Sequence, residues 1–245
     1  MSIVNKIKTV IANAKNFGGW RSLSKIKYIV IHYTANDGDT DEANGKYFRN
    51  NVVKASAHYF VDDDSITQSV KDERIAYAVG GKKYSDCAKT GGGKYYGKCT
   101  NSNSISIELC DDVKNGTIYP SAKTLTNALE LTEYLMKKYN VPKSNVIRHF
   151  DVTGKYCPRY WMDDVKWKSE FWNKIGNDHK TTVKDSYLVK ITANTLNVRK
   201  GAGVNYSITT TVKKNQVYTI VAEMNGWGML KSGAGWINLK YAKKL

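Results

Sequence analysis

No stretch of this 245-residue chain approaches the roughly 18 uninterrupted apolar residues of a membrane span, so membrane insertion is not expected. The N-terminal Met-Ser-Ile-Val-Asn-Lys-Ile-Lys-Thr-Val-Ile sets lysines inside its one apolar patch. A secretory signal carries a continuous apolar core there, so the expectation is synthesis and first residence in the cytoplasm. Cysteine is scarce, at four (Cys87, Cys99, Cys110, Cys157), and no two stand in a Cys-x-x-Cys pair. That spacing excludes a zinc finger, and the missing export signal argues against a disulfide framework. Walker spacing, an internal repeat, a low-complexity tract and any helix-turn-helix or RNP-like motif are all absent. Acidic residues are also few, 22 against 38 Lys and Arg, a formal charge of +16.

That charge points to a polyanionic partner: nucleic acid, an anionic membrane, or a wall polymer rich in phosphate and carboxylate. Without a nucleic-acid-binding motif, nucleic acid is the weakest of these. The charge is uneven, because residues 182–245 hold ten basic and two acidic side chains. Length and an ordinary apolar content allow one sizeable core plus a small second domain.

Strand-like runs recur at Tyr28–His32, His58–Val61, Ser104–Leu109 and Val146–His149, short, β-branched and flanked by Asn, Asp and Gly. Helical patterns lie between them. Thr40 is placed to cap Asp41–Asn51, and Ser121 precedes a helix with Leu125, Leu129, Thr132, Leu135, Met136 and Tyr139 on one face. Val141-Pro142 stops that helix, and a further one is expected over Asp164–Ile175. The pattern predicts an α/β domain over 1–175, a mixed central sheet flanked by helices. Residues 176–184 read as a polar linker that contains His179, read as solvated. Beyond them, short strands separated by Gly and Asn turns predict a compact all-β barrel over 185–245, with runs at Tyr187–Thr192, Leu196–Arg199, Thr209–Val212, Val217–Ala222, Trp227–Lys231 and Gly235–Asn238.

Chemistry concentrates on His32 and His149, which close two strand runs, and on Cys157, eight residues after His149. Taken alone, each histidine reads first as a hydrogen-bonded strand-end residue. The turn-rich segment from His149 to Pro158 is short enough to bring His149 and Cys157 to one point. Two imidazoles and a thiolate would form a three-ligand zinc set with a fourth position open for water. Glu108 alternates with Ile105, Ile107 and Leu109 and faces with Ser106 and Cys110, which leaves a solvated strand face open. Cys110 reads as a small buried residue. The Gly80–Asn103 loop, with three consecutive glycines, Tyr84, Tyr95, Tyr96 and five lysines, reads as a flexible rim over a polymer cleft or equally as an ordinary mobile loop, and its Cys87 and Cys99 as two unrelated thiols.

The runs Tyr28–Asn36, Ser56–Val61, Ser104–Leu109 and His149–Pro158 resemble the zinc-dependent N-acetylmuramoyl-L-alanine amidases of the amidase-2 family, related to peptidoglycan recognition proteins. The tail, with Leu196-Asn197-Val198-Arg199-Lys200-Gly201-Ala202-Gly203, resembles a bacterial SH3-like wall-binding domain, the pairing found in endolysins and autolysins of Gram-positive hosts. The resemblance implies that His32, His149 and Cys157 hold zinc and that Glu108 is the general base. Lys155 would stabilise the oxyanion, and His58, where some relatives carry Tyr, would donate a hydrogen bond at the site. The implied substrate is peptidoglycan, with teichoic-acid phosphates as further wall partners. Two competing functions are a muropeptide recognition module without catalysis, against which the retained Cys157 argues, and a wall cysteine peptidase using Cys157 as nucleophile.

Overall fold

The computed structural model describes residues 3–36, 38–110, 118–176, 186–204, 206–224 and 226–245. Contacts divide the chain into two compact units, Met1–Asn177 and Asp178–Leu245. Beyond Gly176, the expected linker with His179 lies outside the described residues. Among the described residues no helix is long and apolar enough to cross a membrane.

The first unit is built on a six-stranded sheet. Its strands are β1 (Ile7–Thr9), β3 (Tyr28–Tyr33), β4 (Tyr59–Val61), β5 (Ile66–Gln68), β7 (Ser104–Leu109) and β8 (Val146–Arg148), in the order β1-β5-β4-β7-β3-β8. β4 and β5 pair antiparallel and every other pair is parallel, so the sheet is mixed. A separate antiparallel pair joins β2 (Phe17–Trp20) to β6 (Arg74–Ala76). The interior strands are covered on both faces, as parallel strands require. On one face Ile29, Ile31, Ile105, Ile107 and Leu109 pack against Leu125, Leu129 and Leu135. The last three belong to α3 (Ala122–Tyr139), which Ser121 caps by accepting the Thr124 amide and which ends at Asn140 with φ 53°. The opposite face, carrying Val30 and Ile147, is covered by Val79, Cys99 and Val152.

Helix α1 (Asp41–Asn50) is capped by Thr40, as expected. Its Asp41 is buried and accepts hydrogen bonds from Ser65 and Thr67, which ties the helix to β5. A Cβ at Gly45 would lie 2.7 Å from Thr67 Cγ2, so only glycine permits this approach of helix to strand. Three outcomes differ from the sequence reading. The run Val146–His149 is strand only to Arg148, because His149 begins a one-turn helix. The helix expected over Asp164–Ile175 breaks at Phe171 into α5 (Asp164–Glu170) and a 3-10 turn. The Gly80–Asn103 loop is pinned: the Tyr84, Gly93 and Tyr95 amides donate to the Thr153, Phe150 and Asp151 carbonyls at 2.8, 2.9 and 2.8 Å. Within it lies the short α2 (Cys87–Thr90), and Cys87 and Cys99 are separate, buried, free thiols.

The second unit is a seven-stranded antiparallel sheet formed by β9 (Tyr187–Ile191), β10 (Thr195–Arg199), β11 (Ile208–Lys213), β12 (Val217–Met224), β13 (Trp227–Leu230), β14 (Trp236–Asn238) and β15 (Ala242–Lys244). Their order is β11-β10-β14-β13-β12-β9-β15. Val189, Ile191, Val198, Ile220, Leu230 and Ile237 make its core. Two glycines of its turns are sterically required. Gly201 lies under the Tyr206 ring, and a Cβ at Gly235 would meet the Arg199 carbonyl oxygen at 2.3 Å.

Candidate active site

β3 and β7 run parallel and in register, so His32 stands directly beside Glu108. β8 flanks β3 on its other side with Arg148 opposite Ile31, which carries the next residue, His149, to the same strand ends. The carboxyl ends of neighbouring parallel strands are where such sheets place ligands. His149 opens α4 (His149–Thr153), which ends at Gly154 with φ 87°. The Phe150 amide donates to the Cys157 carbonyl at 2.9 Å, folding the chain back so that Cys157 returns to His149. A Cβ at Gly154 would fall 2.3 Å from Cys87 Sγ, so both conformation and contact demand glycine at this turn.

Arg148 and Asp151 clamp the same turn. The Asp151 carboxylate accepts from the Arg148 amide (2.8 Å), Nε (2.9 Å) and Nη2 (2.7 Å). Arg148 Nη1 continues to the Trp161 carbonyl at 2.6 Å, and Nη2 to Asp164. Both members of the clamp are buried, so each charge depends on the other for its solvation. The sequence reading missed these two residues. Their signal was the Arg148-x-x-Asp151 spacing, one helical turn long and enclosing His149.

His32, His149 and Cys157 are all buried, and their ligand atoms lie within 4.8 Å of one another. Cys157 Sγ is 3.7 Å from His32 Nδ1, and the two imidazole centroids are 4.7 Å apart. A tetrahedral metal with ordinary bonds to nitrogen and sulfur would hold such an N/S pair roughly 3.6 Å apart. Both ring nitrogens of His149, one of which a metal could take up, find no hydrogen-bond partner among the described residues. Buried polar atoms left this way cost stability unless a ligand takes them up. The imidazoles are also in the ligating form. Burial, reinforced by His149 and Lys155, pushes His32 well below its ordinary value, and burial with Lys155 pushes His149 down to about 3. Donor chemistry, spacing, protonation and the orphaned nitrogens all fit a divalent metal.

Glu108 stands beside this cluster, its Oε1 3.8 Å from His32 Nδ1 and its side chain 21% exposed. On the same strand face Ser104 and Ser106 are each 1% exposed, so β7 is buried lower down and more open at Glu108. Lys155 is exposed at the rim. With Glu108, Tyr33 and Asn44 it borders a cavity of about 570 Å³, and with His149 it borders a second of about 830 Å³. His58 is elsewhere. It is 1% exposed, in register beside Ser106 and two residues below the Glu108 row. Its Nδ1 accepts the Ser106 amide at 3.1 Å, and its Nε2 lies 2.8 Å from Arg21 Nη2 and 3.3 Å from the Arg74 carbonyl. It lines neither cavity.

Comparison with known proteins agrees with this geometry. The family model for N-acetylmuramoyl-L-alanine amidase (amidase-2) matches residues 22–160, more than half of the chain. The chain is 33% identical over 193 residues to N-acetylmuramoyl-L-alanine amidase CwlL of Bacillus licheniformis, covering 74% of this chain and 50% of that protein. It is 31% identical over 159 residues to the amidase BlyA of Bacillus subtilis, covering 62% and 42%. It thus spans about half the length of the curated relatives it matches. The solved catalytic domain of XlyA superposes with a TM-score of 0.54 at 28% identity, covering 69% of this chain and 99% of that one. A mixed sheet flanked by helices, a metal-ready cluster at its strand ends and a family match across that region assign the chain to the amidase-2 family of N-acetylmuramoyl-L-alanine amidases.

Proposed function

We propose that the chain is a zinc-dependent peptidoglycan hydrolase. It cleaves the amide between the lactyl group of N-acetylmuramic acid and the L-alanine of the stem peptide, as an endolysin or autolysin of a Gram-positive host. The observation that carries this reading is the convergence of His32, His149 and Cys157 at the strand ends with Glu108 beside them. The names of the relatives supply the bond.

An amide is a poor electrophile, and neutral water is a weak nucleophile. Zinc held by His32, His149 and Cys157 would supply Lewis acidity, acidifying its water toward neutral pH and polarising the scissile carbonyl. Glu108, at the open end of β7, takes the proton from the attacking water and returns it to the leaving alanine nitrogen. Lys155, at the rim shared by both cavities, presents its ammonium to the oxygen on which negative charge develops. His58 belongs to the layer beneath and, with Arg21 and Ser106, holds the strands that carry Glu108. Cys157 is 2% exposed and shares its position with two neutral imidazoles, which favours a metal ligand over a thiol nucleophile.

The basic second unit is an SH3-like module that retains the enzyme on the wall, where tethering raises local substrate concentration and positive charge adds affinity for anionic polymers. Mass spectrometry of digested, purified walls tests the reaction. New alanine N-termini without new reducing sugar ends are expected; new sugar ends, or cuts between amino acids, would refute it.

A further inference from the structure

The two cavities that meet at Lys155 differ in character. The one containing Glu108 also carries Asp39 and the aromatic rings of Tyr33, Tyr47 and Phe60. The one containing His149, about 830 Å³, is walled by Lys54, Lys82, Lys83 and Lys155 and has no carboxylate in its lining. Among the described residues none of these four ammonium groups forms an ion pair. Tyr77 and Tyr84, 38% and 47% exposed, complete the wall.

Two of the lysines, Lys54 and Lys83, are held in place by their surroundings. Lys54 sits in the left-handed region with φ 54°, a conformation that a side chain with a Cβ resists. It is held there by the fully buried Asn16, whose Oδ1 accepts the Val53 and Lys54 amides at 2.8 and 2.9 Å. Lys83 is laid across Gly93, where a Cβ would come within 2.6 Å of its Cε. The Tyr84 amide ties the same segment to the Thr153 carbonyl, next to the ligand turn. An unfavourable backbone held by a buried side chain, next to a metal-ready cluster, is the kind of strain that accompanies ligand binding.

The two halves of the proposed substrate differ in charge as the cavities do. The muramyl sugar is neutral once its lactyl carboxyl is locked in the amide, whereas the stem peptide beyond L-alanine carries free carboxylates. We propose that the lysine-walled cavity receives the stem peptide and that Lys54, Lys82 and Lys83 select peptides with free carboxylates over peptides in which these are amidated. This inference rests on the amidase reading for the identity of the ligand. It adds an orientation, with the peptide on the His149 side and the sugar on the Glu108 side.

The test uses the full-length protein and a muramyl pentapeptide in two forms, carboxylates free or each converted to a primary amide. Amidation keeps the shape and removes the charge. Binding is measured by calorimetry on a Glu108→Gln chain, and cleavage on the unmodified chain. An exposed ammonium–carboxylate contact contributes up to about fivefold in affinity, so several together should give the free acid at least a roughly tenfold preference. Salt at 0.5 M should compress that preference. The triple variant Lys54→Gln, Lys82→Gln, Lys83→Gln should bring the ratio close to one, and Lys82→Glu with Lys83→Glu should invert it. Equal binding of the two forms by the unsubstituted lysine wall would overturn the proposal, as would a ratio that survives the triple variant. Preferential binding without cleavage of either form would support the selectivity while refuting the amidase reaction.

Discussion

Replacing His58 with Gln should flatten the acid limb of the stability curve. The ring is buried, its Nδ1 accepts the Ser106 amide, and Arg21 Nη2 lies 2.8 Å from its Nε2. Burial first, and the Arg21 charge second, push its pKa down to about 3, against upward pulls from Asp72 and the Arg74 carbonyl. The folded protein therefore leaves His58 neutral at pH values where the unfolded chain, near 6.5, takes up a proton. The stability tied to this residue is complete above about pH 6.5 and is lost as pH falls toward 3, at about 1.4 kcal/mol per pH unit. Over about three units that amounts to roughly 4 kcal/mol, a large part of an ordinary domain's net stability. His149 is shifted in the same direction, so only the difference between the two chains isolates His58. Urea unfolding of metal-free protein, followed by circular dichroism from pH 4 to pH 8, measures it. Above pH 6.5 the gap in unfolding free energy between wild type and His58→Gln should be constant. Below, it should narrow by about 1.4 kcal/mol per unit. Parallel curves throughout would refute the argument that burial and Arg21 exclude the proton.

Three further outcomes follow from the site and the second unit. Metal analysis should find one zinc per chain; if zinc is present at about a thousandfold its Kd, stripping it should cost about 4 kcal/mol and lower the melting temperature by roughly 10 °C. Active protein without zinc would refute the ligand assignment. Glu108→Gln should keep zinc and fold while reducing turnover by about two orders of magnitude or more, and near-normal wall cleavage would overturn the base assignment. Removing residues 178–245 should slow digestion of intact walls more than cleavage of soluble muropeptide, and the deficit on walls should shrink as salt rises. An equal effect on both substrates would refute the tethering role.

Much of the fold was legible because its central strands are strongly patterned. Tyr28–Tyr33 holds the unbroken run Ile29-Val30-Ile31, Ser104–Leu109 alternates Ile105, Ile107 and Leu109 with polar residues, and the caps Thr40 and Ser121 mark the helix starts. The strands β1, β2, β5 and β6, of three or four residues, were not visible, since each is too short to show a period and depends on its partner. The same holds for β15, which pairs with β9 at the chain end. The Gly80–Asn103 loop reads as flexible from its glycines, yet two of them serve contact: Gly92 meets the Phe150 ring, and Gly93 lies under the Lys83 stem. Composition alone does not separate a glycine that frees the chain from one that lets it close.

The site shows a related ambiguity at Glu108. Alternation along β7 put it on the face of Ser106, and from one strand that face looked as suited to water as to catalysis. Parallel register removes the ambiguity, because His32 and Glu108 become neighbours only when β3 and β7 align, and β8 must then lie beside β3 to deliver His149. Strand order is a long-range property without a signature in any short window. The turn that returns Cys157 is local by contrast: it depends on Gly154, the Phe150–Cys157 hydrogen bond and the Arg148–Asp151 clamp, all within ten residues. The His149–Cys157 half of the cluster was therefore suggested by spacing, and its junction with His32 and Glu108 needed either a family resemblance or the sheet itself. Evolutionary change should reflect that division. The clamp and Gly154 should tolerate little, since they shape the turn that carries both His149 and Cys157, whereas the lysine wall is free to vary with the charge of the peptide it meets.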